Sequence, residues 1–495
     1  MSVTSDEAAR PSPVPAEKPA GQPAPPPAPR RPSGLAPLLL RLHFYAGVLV
    51  APFLVVAALT GLAYTLTPQL DGLLYDRELR AAADGRPARP LAEQVAAARA
   101  AHPEGTLAYV APGEAGATTQ VVFSLPELGE RQHSVYVDPY TAEVRGTLTT
   151  WFGYTPVRTW FDDLHRNLHL GAVGRHYSEI AASWLWLLAL GGLALWWRRQ
   201  RDGRARLRRL LLPELSARRG VRRTRGWHAS TGAWLVVGLL FLSATGLTWS
   251  RYAGANFGSA LDALDARTPT LSTALTGAPA PAAGGGHHDG AGAAPAVVAD
   301  PAAVERVLRI AREHGLTGPV EIAPPADASS AWTVEQVDDA WPVRKDRAVI
   351  DPAAGTLLAR SDFADWPLLA KLSSLGVSAH MARLFGPVNQ VLLAALALGL
   401  LCVVVWGYRM WWQRRPTRTG RGALVGAPPV GPGAWERLPT WAVLGGVPLV
   451  VALGWALPLF GLPLLAFLAV DLVVGGLRRR RTGRAVPTSP APAGR

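Results

Sequence analysis

Long apolar runs alternate with polar segments along this chain. A helix needs roughly 20 mainly apolar residues to cross a bilayer. The runs at residues 35–66 and 226–250, and those inside 162–199 and 376–412, reach that length. A final block at 438–477 is too long for one crossing. Pro448, Pro458 and Pro463 break it, so it reads as two spans turning near Leu457 to Leu462. The pattern predicts six spans. Between the first and second, residues 67–160 change character. Leu91 to Ala101 has helical spacing, and alternating runs follow at 107–110, 120–123 and 134–137. Residues 251–375 repeat the scheme, with a helix from Val304 to His314 and strands at 332–336 and 348–351. Both segments end a strand on Asp-Pro, at Asp138-Pro139 and Asp351-Pro352. The expected fold class is an α-helical integral membrane bundle carrying two small extracytoplasmic α+β domains, with span, domain and span repeated once before a terminal hairpin.

Charge orients this scheme. The formal net charge is +14, and the excess arginines cluster beside the apolar runs, at 198–199, 204–209, 222–223, 414–415 and 478–481. Such clusters mark cytoplasmic loops. The expected loops are 200–225 and 413–437, with a basic tail at 478–495. Residues 1–33 are rich in proline and alanine and read as a disordered cytoplasmic tail. Arg30, Arg31 and Arg41 precede the first span. Both termini are then cytoplasmic, and the protein sits in the cell membrane as a multi-pass chain. Residues 266–297, rich in Ala, Pro and Gly and containing His287-His288-Asp289, read as a flexible stretch. Because the arginines follow the membrane boundaries, nucleic acid is not an expected partner; the bilayer is.

Candidate chemistry rests on histidine. Cys402 is the single cysteine, so there is no disulfide within the chain and no C-x-x-C-H for covalent haem attachment. No H-E-x-x-H, no Ser/His/Asp arrangement, and no G-x-G-x-x-G or P-loop in a suitable setting appears. A solute transporter fits poorly, since few charged residues lie within the spans. His43 and His228, however, open matched patterns. Gly47 and Gly232 follow each by one turn, and Thr60-Gly61-Leu62 and Thr245-Gly246-Leu247 close them. On straight helices His43, Gly47, Leu54 and Gly61 share a stripe, as do His228, Gly232, Leu239 and Gly246, with the distal glycines roughly 27 Å further on. Small residues on such a stripe serve helix packing or admit a flat ligand. His380 lies near the outer end of the fourth span, and His165, His169 and His176 lie near that of the second. The last three share a face if their segment is one helix. The histidines form two layers, His43 with His228 inside, and His380 with one of His165, His169 and His176 outside. Two b-type haems, each with two histidine ligands, satisfy this pattern.

At these residues the chain resembles the PepSY-associated transmembrane family. The stretches are RLHFYAG with TGL, DLHRNLHLGAVGR, WHASTG with TGL, and HMARLFGPVNQ with GYRMWWQRRP, covering about residues 35 to 415. The resemblance implies that the two outside domains are PepSY modules. It carries over His43, His228, His380 and the pair His165 and His169 as motif histidines. Ala382 stands where a glycine is common. Some members are haem-containing reductases of ferric siderophores, which implies a transmembrane electron carrier reducing an extracytoplasmic ferric chelate for iron acquisition, with a quinol or a separate protein as donor. PepSY modules also inhibit peptidases, and the competing inheritance is a non-catalytic membrane protein that binds or regulates envelope peptidases. Trp151, Phe152, Tyr154, Trp160 and Phe161 form either an interfacial aromatic belt or an outer binding surface.

Overall fold

Proline and glycine decide where the apolar runs bend. In the computed structural model the first run is two helices, α1 (Leu35–Leu49) and α2 (Ala51–Tyr64), meeting at 55°. Pro52 lies in the first turn of α2, where its missing N–H leaves no bond unmade and its ring ends the helix before it. The described residues are 35–83, 85–114, 116–200, 206–213, 219–275, 300–415 and 438–483. The tail at 1–33, His287-His288 with most of the 266–297 stretch, the loop from 416 and the tail from 484 lie outside them.

Short helices α3 (Thr67–Leu74) and α4 (Asp76–Leu79) lead to α5 (Leu91–Ala101) and the strands β1 (Thr106–Ala111), β2 (Thr119–Ser124), β3 (Gln132–Val137) and β4 (Val144–Thr150). Then come α6 (Pro156–Asn167), α7 (Gly171–Arg199), α8 (Arg206–Leu211), α9 (Val221–Thr248) and α10 (Tyr252–Ala263). The second half has α11 (Pro301–Glu313), β5 (Val320–Ala323), β6 (Trp332–Gln336), β7 (Arg347–Asp351), β8 (Thr356–Ser361), α12 (Leu368–His380) and α13 (Gly386–Gln413). A hairpin of α14 (Thr440–Ala456) and α15 (Pro458–Gly483) ends the described chain. Among the described residues, α7, α9, α13 and Pro458–Leu477 of α15 are long and apolar enough to cross a bilayer, and the bent α1–α2 pair makes a fifth. Helix α14 has 17 residues and contains Pro448. It reaches about 25 Å, short of a hydrocarbon core of about 30 Å. Six full spans are therefore not what the described helices provide.

The two segments between spans do not stand as separate domains. They join into one eight-stranded antiparallel sheet of order β4-β3-β2-β1-β5-β6-β7-β8. The halves meet at β1 and β5, where Val110 pairs with Ile322. Each half is a helix followed by a four-stranded meander, and α5 and α11 pack side by side on one face. One core unites them, with Val95, Val110, Phe123 and Val135 from the first half and Val307, Ile310, Ile322 and Ile350 from the second, all buried. If the halves stood apart, β1 and β5 would each be an exposed edge strand; the Val110–Ile322 pairing joins these edges to each other.

One cross-strand pair makes this sheet sensitive to pH. Glu321 on β5 lies opposite Glu335 on β6. Burial, then the like charge of Glu335, push the Glu321 carboxyl up from 4.5 to about 7. Between those values the folded chain holds a proton that the unfolded chain has lost, so stability falls as pH rises through that window, by at most about 3 kcal/mol. Glu321→Gln is expected to raise the melting temperature at pH 8 and leave it unchanged at pH 4. An equal melting temperature for wild type and variant at pH 8 would contradict this.

The bundle has its own polar ties. Arg41, expected as a flanking charge, is buried inside α1 and pairs with buried Asp471 of α15. Glu179 of α7 is buried and accepts the backbone N–H groups of Tyr252 (3.1 Å) and Ala253 (2.9 Å) at the start of α10. A carboxylate there meets the positive end of the helix.

Candidate functional site

Four of the histidines meet in two pairs. His43 on α1 and His228 on α9 place their ring centroids 6.4 Å apart at an interplanar angle of 83°. Glycine lets both rings reach neighbouring helices. His43 lies on Gly191-Gly192 of α7, where a Cβ at Gly192 would stand 3.0 Å from the ring's Cε1. His228 lies on Gly407 of α13, with a Cβ there 3.6 Å from Cε1. A Cβ there would be in ordinary contact, and His228 Nδ1 donates to the carbonyl of Val403 at 2.9 Å, since a carbonyl can only accept. His43 Nδ1 is buried without a hydrogen-bond partner among the described residues. One turn further along each helix, a Cβ on Gly47 or Gly232 would meet nothing within 4 Å.

The second pair forms where the sheet joins the bundle. His165 on α6 and His380 on α12 have centroids 6.4 Å apart at 50°. Each ring is tied to a span of the same half. His165 Nδ1 lies 2.9 Å from Thr60 Oγ1 of α2, and His380 Nδ1 lies 2.6 Å from Thr245 Oγ1 of α9. A rise of about 1.5 Å per residue from His228 to Thr245 puts the two pairs roughly 25 Å apart along α9.

His169 and His176 join neither pair. Helix α6 ends at Asn167, and Leu168 and His169 both turn left-handed at φ 56°. The segment is therefore not one helix, and the face shared by His165, His169 and His176 does not form. Gly174 permits the sharp turn: a Cβ there would lie 1.6 Å from the carbonyl oxygen of Asn167. His169 is exposed and stacks near Trp160, centroids 4.9 Å apart. His176 faces Val173 O (3.1 Å) and the Tyr252 hydroxyl (3.3 Å).

The expected aromatic cluster is partly a joint. Tyr154 accepts from Arg383 at 2.8 Å, and Arg383 pairs with Asp339. Asp339 also pairs with Lys345 and accepts from Ser378 at 2.9 Å. Burial pushes the Asp339 carboxyl up, but Arg383 and Lys345 outweigh it and hold the group below its usual value. Arg158 stacks on Tyr154 at 4.5 Å and donates to Tyr64 of α2 at 3.1 Å. This network links the first half of the chain to the second beside the His165/His380 pair. Trp160 remains half exposed.

No group of three or more His, Cys, Asp or Glu side chains able to hold a metal ion is present among the described residues. Each histidine pair is instead a two-imidazole set, sufficient for a metal whose other positions a macrocycle fills.

A repeated helical bundle with apolar spans, joined to an antiparallel sheet, defines a multi-pass membrane protein. Residues 40–414 match the family described as the PepSY-associated TM region, and the chain belongs to that family. No curated protein matches it. The match covers both histidine pairs and ends before the α14–α15 hairpin.

Proposed function

We propose that this chain is a haem-binding electron carrier that reduces a ferric chelate on the sheet side of the cytoplasmic membrane, with both termini and the arginine clusters on the cytoplasmic side. The observation that carries this reading is the pairing of four histidines at two levels of one bundle. His43 with His228 and His165 with His380, each with ring centroids 6.4 Å apart, would each hold one haem iron. The open positions at Gly47 and Gly232 and the unpartnered Nδ1 of His43 fit a flat ligand beside the first pair. When bound, haem supplies a reversible one-electron couple.

The chain's own residues do the rest. His43 and His228 hold the cytoplasmic-side group and His165 and His380 the outer one. Buried Leu54 and Leu239 fill the interior between the levels and exclude water. The outer pair lies under the Tyr154–Arg383–Asp339 joint, close to where a chelate approaches from the sheet side. The ferric ion of the chelate gains one electron and leaves as ferrous iron, which such chelators hold less tightly. The donor is a quinol or a separate protein.

The test uses the full chain in proteoliposomes, with a quinol in the bilayer and a ferric chelate plus a ferrous-iron indicator outside. Indicator colour is expected with wild type and is lost in His380→Ala. Colour development at the same rate in protein-free vesicles and in wild type would reject the reading and favour the partner-binding alternative.

A further inference from the structure

We infer that Thr60 and Thr245 are positioning residues that set the tautomer of His165 and His380, so that each ring presents Nε2 as its unprotonated nitrogen. The inference rests on the haem reading above. It rests on where each threonine sends its one proton. Thr60 Oγ1 lies 2.8 Å from Val56 O and 2.9 Å from His165 Nδ1. Helical threonines commonly donate to a carbonyl one turn back, and Thr60 Oγ1 has Val56 O at 2.8 Å and Ala57 O at 3.2 Å for this, so its single proton is assigned there. The hydroxyl then offers Nδ1 a lone pair and no proton. With the threonine proton so placed, Nδ1 carries the ring proton and donates it, which leaves the lone pair on Nε2.

The second half repeats the device. Thr245 Oγ1 lies 2.8 Å from Phe241 O and 2.6 Å from His380 Nδ1. Thr60 and Thr245 are the threonines of the two TGL motifs. The glycine beside Thr60 also has a local part: a Cβ on Gly61 would stand 3.1 Å from His165 Cε1. Gly246 differs, since a Cβ there would meet Ala182 Cβ at an ordinary 3.4 Å.

The other pair lacks hydroxyls. His228 donates to a backbone carbonyl, and His43 Nδ1 has no partner among the described residues. The two pairs are thus built to differ. An Nδ1–H that donates makes its imidazole a stronger ligand through Nε2, and loss of such an outer partner commonly weakens metal affinity by about 10–100-fold.

The test compares full-length wild type with Thr60→Val, Thr245→Val and Thr60→Ser. Valine keeps the shape and removes the hydroxyl; serine keeps the hydroxyl. Two readouts are used, haem retention against an apo-globin acceptor and midpoint potentials from a spectroelectrochemical titration. Each valine variant is expected to release one of two haems about 10–100-fold more readily and to raise the potential of that centre alone. Thr60→Ser is expected to restore both values. The unshifted second centre reports that the bundle has folded. Valine variants with wild-type retention and potentials at both centres overturn the threonine role while leaving the haem reading intact. A wild type that binds no haem overturns both.

Discussion

His228→Ala is expected to remove one of two b-type haem signals and to leave the other in place. The ring it deletes is partly buried in the bundle, lies beside Gly407 and is oriented by the carbonyl of Val403. Among the described residues no other histidine lies at that level except His43, and a single imidazole cannot complete a two-imidazole set. The His165/His380 pair stands roughly 25 Å away along α9. Sites that far apart with no shared partner behave independently. His380→Ala is therefore the mirror experiment, removing the other signal and sparing the first. Low-temperature reduced-minus-oxidised spectra resolve the two centres. A uniform loss of both signals in each variant, with the protein still folded, would contradict two independent sites.

The second large effect is on stability. Asp471→Leu is expected to cost about 3–5 kcal/mol, because it leaves the Arg41 guanidinium inside the bundle without its carboxylate. Arg41 also lies over the Tyr45 ring at 5.6 Å, which holds its stem but does not neutralise its charge. The double variant Arg41→Leu/Asp471→Leu should recover most of the loss, since an apolar pair of similar volume is often neutral in such a position. Thermal unfolding in mild detergent gives both numbers. Equal melting temperatures for Asp471→Leu and wild type would show that the pair contributes nothing. The effect matters beyond stability: the pair is two residues from His43 and is one of the polar ties between the matched family core and the hairpin that follows it.

Much of this was legible in the residues, and each exception has its own physical reason. Helix α5 falls on Leu91–Ala101 as its spacing predicts, and β6 on Trp332–Gln336. Strands β4 and β8 left little trace because they are sheet edges. Their residues are partly buried, such as Val144-Arg145-Gly146 and Ala359, or exposed, such as Arg360, and their types carry weak alternation. Fusion of the halves into one sheet could not be read at all, since the β1–β5 contact joins residues far apart in the chain. The bend in the first span was marked by Pro52, a signal outweighed by the unbroken apolar run around it. Arg41 was placed outside the span because charge beside an apolar run usually marks its end. Its partner, Asp471, lies in the terminal hairpin, and only the fold brings the two together.

For the histidines, repeated spacing exposed His43 and His228, while His165 could not be told from His169 and His176. The difference lies in the left-handed turn at Leu168 and His169, whose residue types give little warning of it. The threonines of the TGL motifs were visible as repeats, yet their partners sit on α6 and α12 and could be named only from the structure.

The central claim is that each chain holds two haems between two histidine pairs. The most direct measurement is a pyridine haemochrome assay on protein purified from cells with ample haem, normalised to chain concentration. A value close to two b-type haems per chain, falling to about one in His228→Ala and in His380→Ala, is the result this account predicts. A wild type with no haem contradicts it.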